Sequence, residues 1–410
     1  MKISAGFEEA CKVAVEKVDE VSMEIDIEED NYAELVKCAM LSLGSKVVNK
    51  HKRKLAEIAV KAVVSVADME RKDVNLDLIK IVGKTGGSLE DTEFINGIVI
   101  DKDFSHPQMK KEIKDAKICI LTCPFEPPKI KTKHGLEIKS AEDYRKLYDL
   151  EQSYFKNMVK MVKDSGANVV LCQWGFDDEA NHLLMKEGLP AVRWVGGVEI
   201  ELLALATGAR IVPRFEELTP EKLGSAALVK EVGFGTTNER MTVIQECSNS
   251  KAVSILVRGG NKMIVAEAQR CLHDAICVVR NMIRNTEIVP GGGAVELACS
   301  QAVSEAADEI ADVAQYSFHG FADALEEIPL ALATNSGYNA IQYVSDLKKR
   351  QKEEGNHNLG VDALCTGNND MIEGGFYESK RSKIEQLSLA TQVVKMILKI
   401  DDVILPSERF

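Results

Sequence analysis

The hydrophobic period of this 410-residue chain changes twice, and those two changes constrain its fold more than any single motif. From residue 1 to about 65, apolar residues recur at spacings of three and four, as in EEACKVAVEKVDEV and KLAEIAVKAVVSVADM. That spacing predicts helices with no strand between them. From about 87 to 259 the chain reads instead as short β-rich runs: INGIVID, KICILTC, ANVVLCQW, AVRWV, ARIV, ALVKEVGF, MTVIQE and AVSILV. Helices alternate with the earlier of these runs. After Arg258-Gly259-Gly260 the pattern is helical again to about Lys399. A β-containing module inserted between two helical halves is the simplest architecture, a multidomain chain of α/β plus α type.

Charge and cysteine usage narrow the function. Acidic residues outnumber basic ones 64 to 51, giving a net charge of −13, so a general nucleic-acid surface is excluded. The short basic run His51-Lys52-Arg53-Lys54 reads as a solvated helix face. No apolar stretch reaches the roughly 20 residues that cross a bilayer, and no signal-peptide pattern opens the sequence. No membrane partner is expected. The ten cysteines include no C-x-x-C pair, and several, such as Cys119 and Cys172, sit in apolar runs. A reducing, cytoplasmic setting fits them. Asp178 and His182 share a helix face at ligand spacing, but no third ligand accompanies them, so no metal site is assigned.

Three stretches carry candidate chemistry. In IVPGGGAVELACS, residues 288–300, three glycines precede a helical pattern. Glycine is required where the chain turns at positive φ or where something approaches the backbone closely. Two readings stay open on these residues alone: a tight hinge or packing turn, or a helix mouth that takes phosphate. The second stretch, CPFEPPKIKTKHG followed by SAEDYRKLYDLEQSYFKNMVKMVKDSG, is Pro- and Lys-rich and then helical. Ser140 and Asp143 resemble a capping box and Gly166 a stop. Its apolar stripe (Tyr144, Leu147, Tyr148, Leu150, Tyr154, Phe155, Met158, Met161, Val162) suits a core-facing helix or a projecting arm. The third, Gly233-Phe234-Gly235-Thr236-Thr237, lies between two β-like runs and reads as a connecting turn rather than a nucleotide loop.

HDAICVVRNMIRN followed by VPGGGAVE, FADALEEIP, LGVDALCTGNNDM and MILKIDD resembles the group II chaperonins, in the family's order and spacing. VIDKDFSHPQM, LTCPFEPPK, CQWGFDDEANHLL and LPAVRWVGG look most like TRiC, the eukaryotic cytosolic branch. The resemblance runs from about Ser4 to Asp402. It implies a mostly helical equatorial domain at about 1–13 and 291–410, and an intermediate hinge domain at about 14–86 and 256–290. Between them it places an inserted α/β apical substrate-binding domain at about 87–255, with a helical protrusion at about 125–165. The protrusion is the family's built-in lid, so the projecting-arm reading moves ahead.

The resemblance also implies roles, position by position. Gly291, Gly292 and Gly293 match the glycine-rich contact to ATP, which favours close ligand approach over a mere hinge. Asp274 matches the catalytic aspartate that positions or deprotonates the attacking water. Ser45 and Lys46 match a nucleotide-sensing loop. Gly360, Asp362, Ala363 and Glu378 match the adenine and ribose pocket, with Lys383 a further candidate beside them. Read without the family, Asp274 is a helix-surface carboxylate, Lys46 a helix-terminal lysine and residues 378–383 a solvated charge cluster.

One departure stands beside these matches. The family's L-G-P and G-D-G-T-T loops, which hold the phosphates and the Mg2+-binding aspartate, do not occur in these residues. Two functions follow as expectations. The first is a subunit of an ATP- and Mg2+-dependent chaperonin, partnered with other subunits in a hetero-oligomeric double ring and acting on non-native clients such as cytoskeletal proteins. The second is a truncated, ATPase-deficient relative that keeps only apical binding or assembly contacts.

Overall fold

The computed structural model describes residues 2–25, 32–127, 138, 140–234, 239–249, 251–402 and 404. They divide into two compact units, Met1–Gly44 with Cys277–Phe410, and Ser45–Ile276. In chain order the first unit begins with α1 (Lys2–Val21), β1 (Met23–Glu24) and α2 (Ala33–Gly44). Helix α1 buries Ala10, Cys11, Ala14, Val18 and Val21, the three-and-four spacing that the sequence displays. The expectation of no strand in this section is corrected by β1. Two residues are too few to leave a periodic signal, and they are extended only because a distant strand pairs with them.

The second unit holds α3 (Lys52–Val66), β2 (Ile79–Thr85), β3 (Glu93–Ile95), β4 (Gly97–Ile100), β5 (Glu112–Leu121) and α4 (Ala141–Asp164). It continues through β6 (Val169–Cys172), α5 (Asp178–Lys186), β7 (Ala191–Val192), α6 (Gly197–Thr207), β8 (Ile211–Val212), β9 (Gly224–Gly233), β10 (Arg240–Cys247) and β11 (Val253–Gly259). Seven strands form a mixed sheet in the order β4-β10-β9-β5-β6-β7, with β8 also on β5. β4 and β6 are buried at every residue, which explains why GIVI and VVLC read as unbroken apolar runs rather than alternating ones. A smaller sheet, β2-β11-β3, includes a strand that sequence reading did not anticipate: β2 pairs in parallel with β11 from Ile79↔Val253 to Thr85↔Gly259.

Helix α4 starts as read, with the Ser140 hydroxyl accepting from the Asp143 amide, and Gly166 follows its end at φ +85°. The core-facing reading of its apolar stripe holds for only part of the helix. Phe155, Met158, Val159 and Val162 are buried against the large sheet, whereas Tyr144, Leu147, Tyr148 and Leu150 are exposed. The Lys-rich part of the preceding segment, 128–137 and 139, lies outside the described residues. So do residues 235–237 of the Gly233–Thr237 stretch, though β9 and β10, on either side of it, pair antiparallel from Arg240↔Gly233 onward.

α7 (Lys262–Arg284) carries residues of both units. The first unit then resumes with β12 (Glu287–Pro290), α8 (Ala294–Asp308), α9 (Ala314–Asn335), α10 (Ala340–Glu354), β13 (Tyr377–Ser379) and α11 (Lys380–Ile397). β12 and β13 correct the reading of this stretch as wholly helical. Both are too short to show a period of two, and each is fixed by its pairing with the other.

Phe125 is fully buried at the point where the chain leaves the large sheet, meeting Phe215 at 4.8 Å and Phe176 at 5.0 Å between ring centroids, both edge-on. Phe125→Ala is expected to destabilise the second unit by about 3–5 kcal/mol. Both tryptophans, Trp174 and Trp194, lie in that unit, so urea titration followed by indole emission reads it selectively; an unchanged midpoint contradicts the packing.

Candidate functional site

In the first unit, two strands that pair with each other each launch a helix. β12 is the middle strand of a three-stranded sheet, β1-β12-β13, and its register with β13 sets Val289↔Glu378 and Pro290↔Tyr377. β12 leads through the glycine triplet into α8, and β13 runs directly into α11. Gly292 and Gly293 adopt φ +62° and +77°, a region that costs an L-residue roughly 1–2 kcal/mol. The neighbours that forbid a side chain are the protein's own. A Cβ on Gly291 lies 3.2 Å from the Phe376 carbonyl oxygen, one on Gly292 2.5 Å from Met371 Sδ, and one on Gly293 2.9 Å from Pro329. Gly360 closes the same wall, its Cβ position 3.0 Å from the carbonyl oxygens of Gly291 and Gly292.

What this turn leaves open is a set of donors. The N-cap of α8 is Gly293, which has no side chain to cap it. Ala294 donates back to the Gly291 carbonyl, but the amides of Gly292, Gly293, Val295 and Glu296 find no acceptor among the described residues. Helix N-termini leave such amides to water, a side chain or a ligand, and the helix dipole favours an anionic one.

Beside this mouth, Lys383 is 5% exposed and donates to Glu296 Oε1 at 2.7 Å and to Glu378 Oε2 at 2.8 Å. Burial opposes its charge, yet the two carboxylates outweigh burial and raise its pKa. Lys383 therefore stays protonated through the neutral range. Glu378 keeps its side chain 44% exposed and lines a cavity of about 400 Å³ together with Cys38, Ser42, Asn281, Tyr377 and Ser382. Burial pushes the Cys38 thiol up to about 12, so it is a neutral wall group rather than a nucleophile. Asp362 is turned to its own loop. Its carboxylate accepts from the Gly367 amide at 2.7 Å, Thr366 Oγ1 at 3.0 Å and the Leu364 amide at 3.2 Å, while Ala363 bonds the Val361 carbonyl.

In the second unit, Lys46 and Asp274 are brought together from 228 residues apart as a hydrogen-bonded ion pair. Asp274 is half-exposed on α7, and Lys46 follows the exposed Ser45 in the turn after α2. The hydrogen bond to Asp274 raises the Lys46 pKa against a smaller opposing effect of burial. A raised lysine pKa keeps the pair intact below the ordinary value and loses it only as pH climbs through the raised one.

Residues 1–408 match the TCP-1/cpn60 chaperonin family. The chain belongs to that family. It is 51% identical over 405 residues to T-complex protein 1 subunit epsilon of Encephalitozoon cuniculi, covering 98% of this chain and 75% of the relative. A thermosome subunit of Methanocaldococcus jannaschii is 39% identical over 399 residues, 97% of this chain and 73% of that one. The open-state monomer of a group II chaperonin from Methanococcoides burtonii superposes with a TM-score of 0.69 at 34% identity, covering 97% of this chain and 92% of that chain. The fold is thus the group II chaperonin fold, and the chain is a group II chaperonin subunit.

Sequence reading missed Glu296. A carboxylate in the first turn of a helix is ordinary, and its partner Lys383 is 87 residues away, so only the pairing of β12 with β13 reveals the contact. Gly293→Ala combines positive φ with the Pro329 contact, and is expected to destabilise the first unit by more than about 1 kcal/mol. Lys46→Ala removes a pair between partly exposed groups, and is expected to change stability by less than about 1 kcal/mol. Denaturant unfolding of the two variants checks both; equal losses contradict the contrast.

Proposed function

We propose that this subunit binds ATP at the α8 mouth and works in a cytosolic, hetero-oligomeric double ring that encloses non-native proteins and closes on hydrolysis. The observation that carries the reading is the set of four unpartnered amides at Gly292, Gly293, Val295 and Glu296, on a helix whose N-cap is glycine. The cavity of about 400 Å³ that Glu378 lines falls within the usual size of small-ligand sites. Gly291, Gly292 and Gly293 would face the phosphates; Gly360, Asp362, Ala363 and Glu378 would form the nucleoside side. The engaged carboxylate of Asp362 assigns it the role of shaping that wall. Mg2+ is the expected counter-ion of a triphosphate, and none of these residues is assigned to it.

The three-domain division at about 1–13, 14–86, 87–255, 256–290 and 291–410 belongs to the same proposal, as does the lid role of residues 125–165. Client contact is assigned to the second unit, where Trp174 and Trp194 sit edge-on at 6.5 Å and are half-exposed, with Val198 and Leu205 exposed on α6. Cytoskeletal proteins are proposed among the clients, as the family resemblance of the sequence implies. A nucleotide-independent role draws no support from those relatives.

Asp274 is proposed to orient the attacking water and take its proton, with Lys46 and Ser45 sensing the terminal phosphate. In the assembled particle, Asp274→Asn is expected to keep ATP binding and lose about 10² to 10⁴-fold in turnover. Single-turnover hydrolysis measures it. Unchanged turnover removes Asp274 from the mechanism, and loss of binding as well gives it a structural role.

A further inference from the structure

Lys383 stands out among the residues of the candidate nucleotide wall because it has no freedom to meet a ligand. It is 5% exposed, and its ammonium is already shared between Glu296 Oε1 at 2.7 Å and Glu378 Oε2 at 2.8 Å. Its side chain is buried, so swinging out to a phosphate would draw the ammonium away from both carboxylates and leave Glu296, itself 4% exposed, as a buried carboxylate with no cation. Glu378 is different. One of its oxygens is held by Lys383, and Oε1 has no partner among the described residues, on a side chain 44% exposed at the cavity. The backbone of Glu378 is fixed by its register with Val289, so the remaining freedom is rotation of the side chain, and Lys383 removes it.

We infer that Lys383 is a positioning residue for nucleoside recognition: anchored by Glu296, it holds Glu378 so that the free carboxylate oxygen accepts a ribose hydroxyl, and it does not contact phosphate. This rests on the nucleotide reading of the site and deepens it. Three donors belong to an ammonium, and two are spent on carboxylates whose positions are set by α8 and β13. The geometry therefore ties ribose selection to a lysine that touches no nucleotide. A hydrogen bond to a charged acceptor is worth about tenfold or more in affinity, which sets the size of the expected effect.

The test compares adenosine, ATP and 2′,3′-dideoxy-ATP binding to the full chain by calorimetry. The wild-type chain is expected to prefer ATP to the dideoxy compound about tenfold. In Lys383→Met that preference falls toward one, and adenosine and ATP weaken together. Lys383→Arg restores it, and in a Glu378→Gln background Lys383→Met causes no further loss of preference. A merely structural lysine would not move the ribose-to-dideoxyribose ratio. Should Lys383→Met fail to fold, Lys383→Gln carries the same measurement, with the same fall expected. ATP weakened while adenosine is untouched makes Lys383 a phosphate ligand and overturns the inference; an unchanged ratio overturns it equally. If the wild-type chain binds no ATP, the nucleotide reading and this inference fall together. If it binds ATP but shows no ribose preference, only the inference falls.

Discussion

The antiparallel pairing of Glu287–Pro290 with Tyr377–Ser379 is the contact on which the first unit's candidate site depends. Three residue pairs bring together segments roughly 90 positions apart, and each strand leads to a helix, β12 through the glycine triplet and β13 directly. The register decides which side chains meet: Val289 opposite Glu378 aligns the glycine turn with the carboxylate, and the first turns of the two helices bring Glu296 to Lys383. A one-residue slip would send Glu378 to the opposite face of the sheet. So short a ladder is weak by itself. It is held by the packing around it, including the bond from the Gly291 amide to the Phe376 carbonyl and that from Tyr377 Oη to Glu34.

Two lysine–carboxylate contacts in this protein look alike on paper and differ in energy. Lys46 with Asp274 is partly exposed, so water competes with the pair and its loss costs little. Lys383 with Glu296 is buried at 6% and 5% side-chain exposure. There, removing one partner strands the other in a low-dielectric interior, a change on the order of 3–5 kcal/mol. The buried contact is suited to holding geometry. The exposed one is suited to changing partners, as the proposed phosphate-sensing role of Lys46 would require.

The glycine triplet joins structure to chemistry in a way neither reading of it alone captures. Its lack of side chains is required by neighbours inside the protein, namely Phe376, Met371 and Pro329. The same lack leaves α8 without a side-chain cap, and the uncapped amides are what the proposed anion site would use. Packing constrains all three glycines, and the amides of two of them, Gly292 and Gly293, stay open, so the hinge and phosphate readings of the sequence are not exclusive. Helix α4 shows a similar division, with one apolar stripe half spent on the core and half left in solvent.

Periodicity by itself determined the helices α1 and α3, the strands from β4 to β11 and the insertion of a β-rich module between helical sections, because long amphipathic repeats and fully buried apolar runs are local properties of the chain. The motifs determined the family, and the resemblance named Asp274, Lys46, the glycines and Glu378 as candidates. Tertiary structure alone decided β1, β12 and β13, since these short strands sit within sections of helical pattern and are extended only through their partners. It decided that Asp362 serves its own loop and that Lys383 is a buried staple between two carboxylates rather than a member of a solvated charge cluster. The physical reason is the same in each case: the state of a charge or a short strand is set by what lies across from it, and that neighbour is tens to hundreds of residues away.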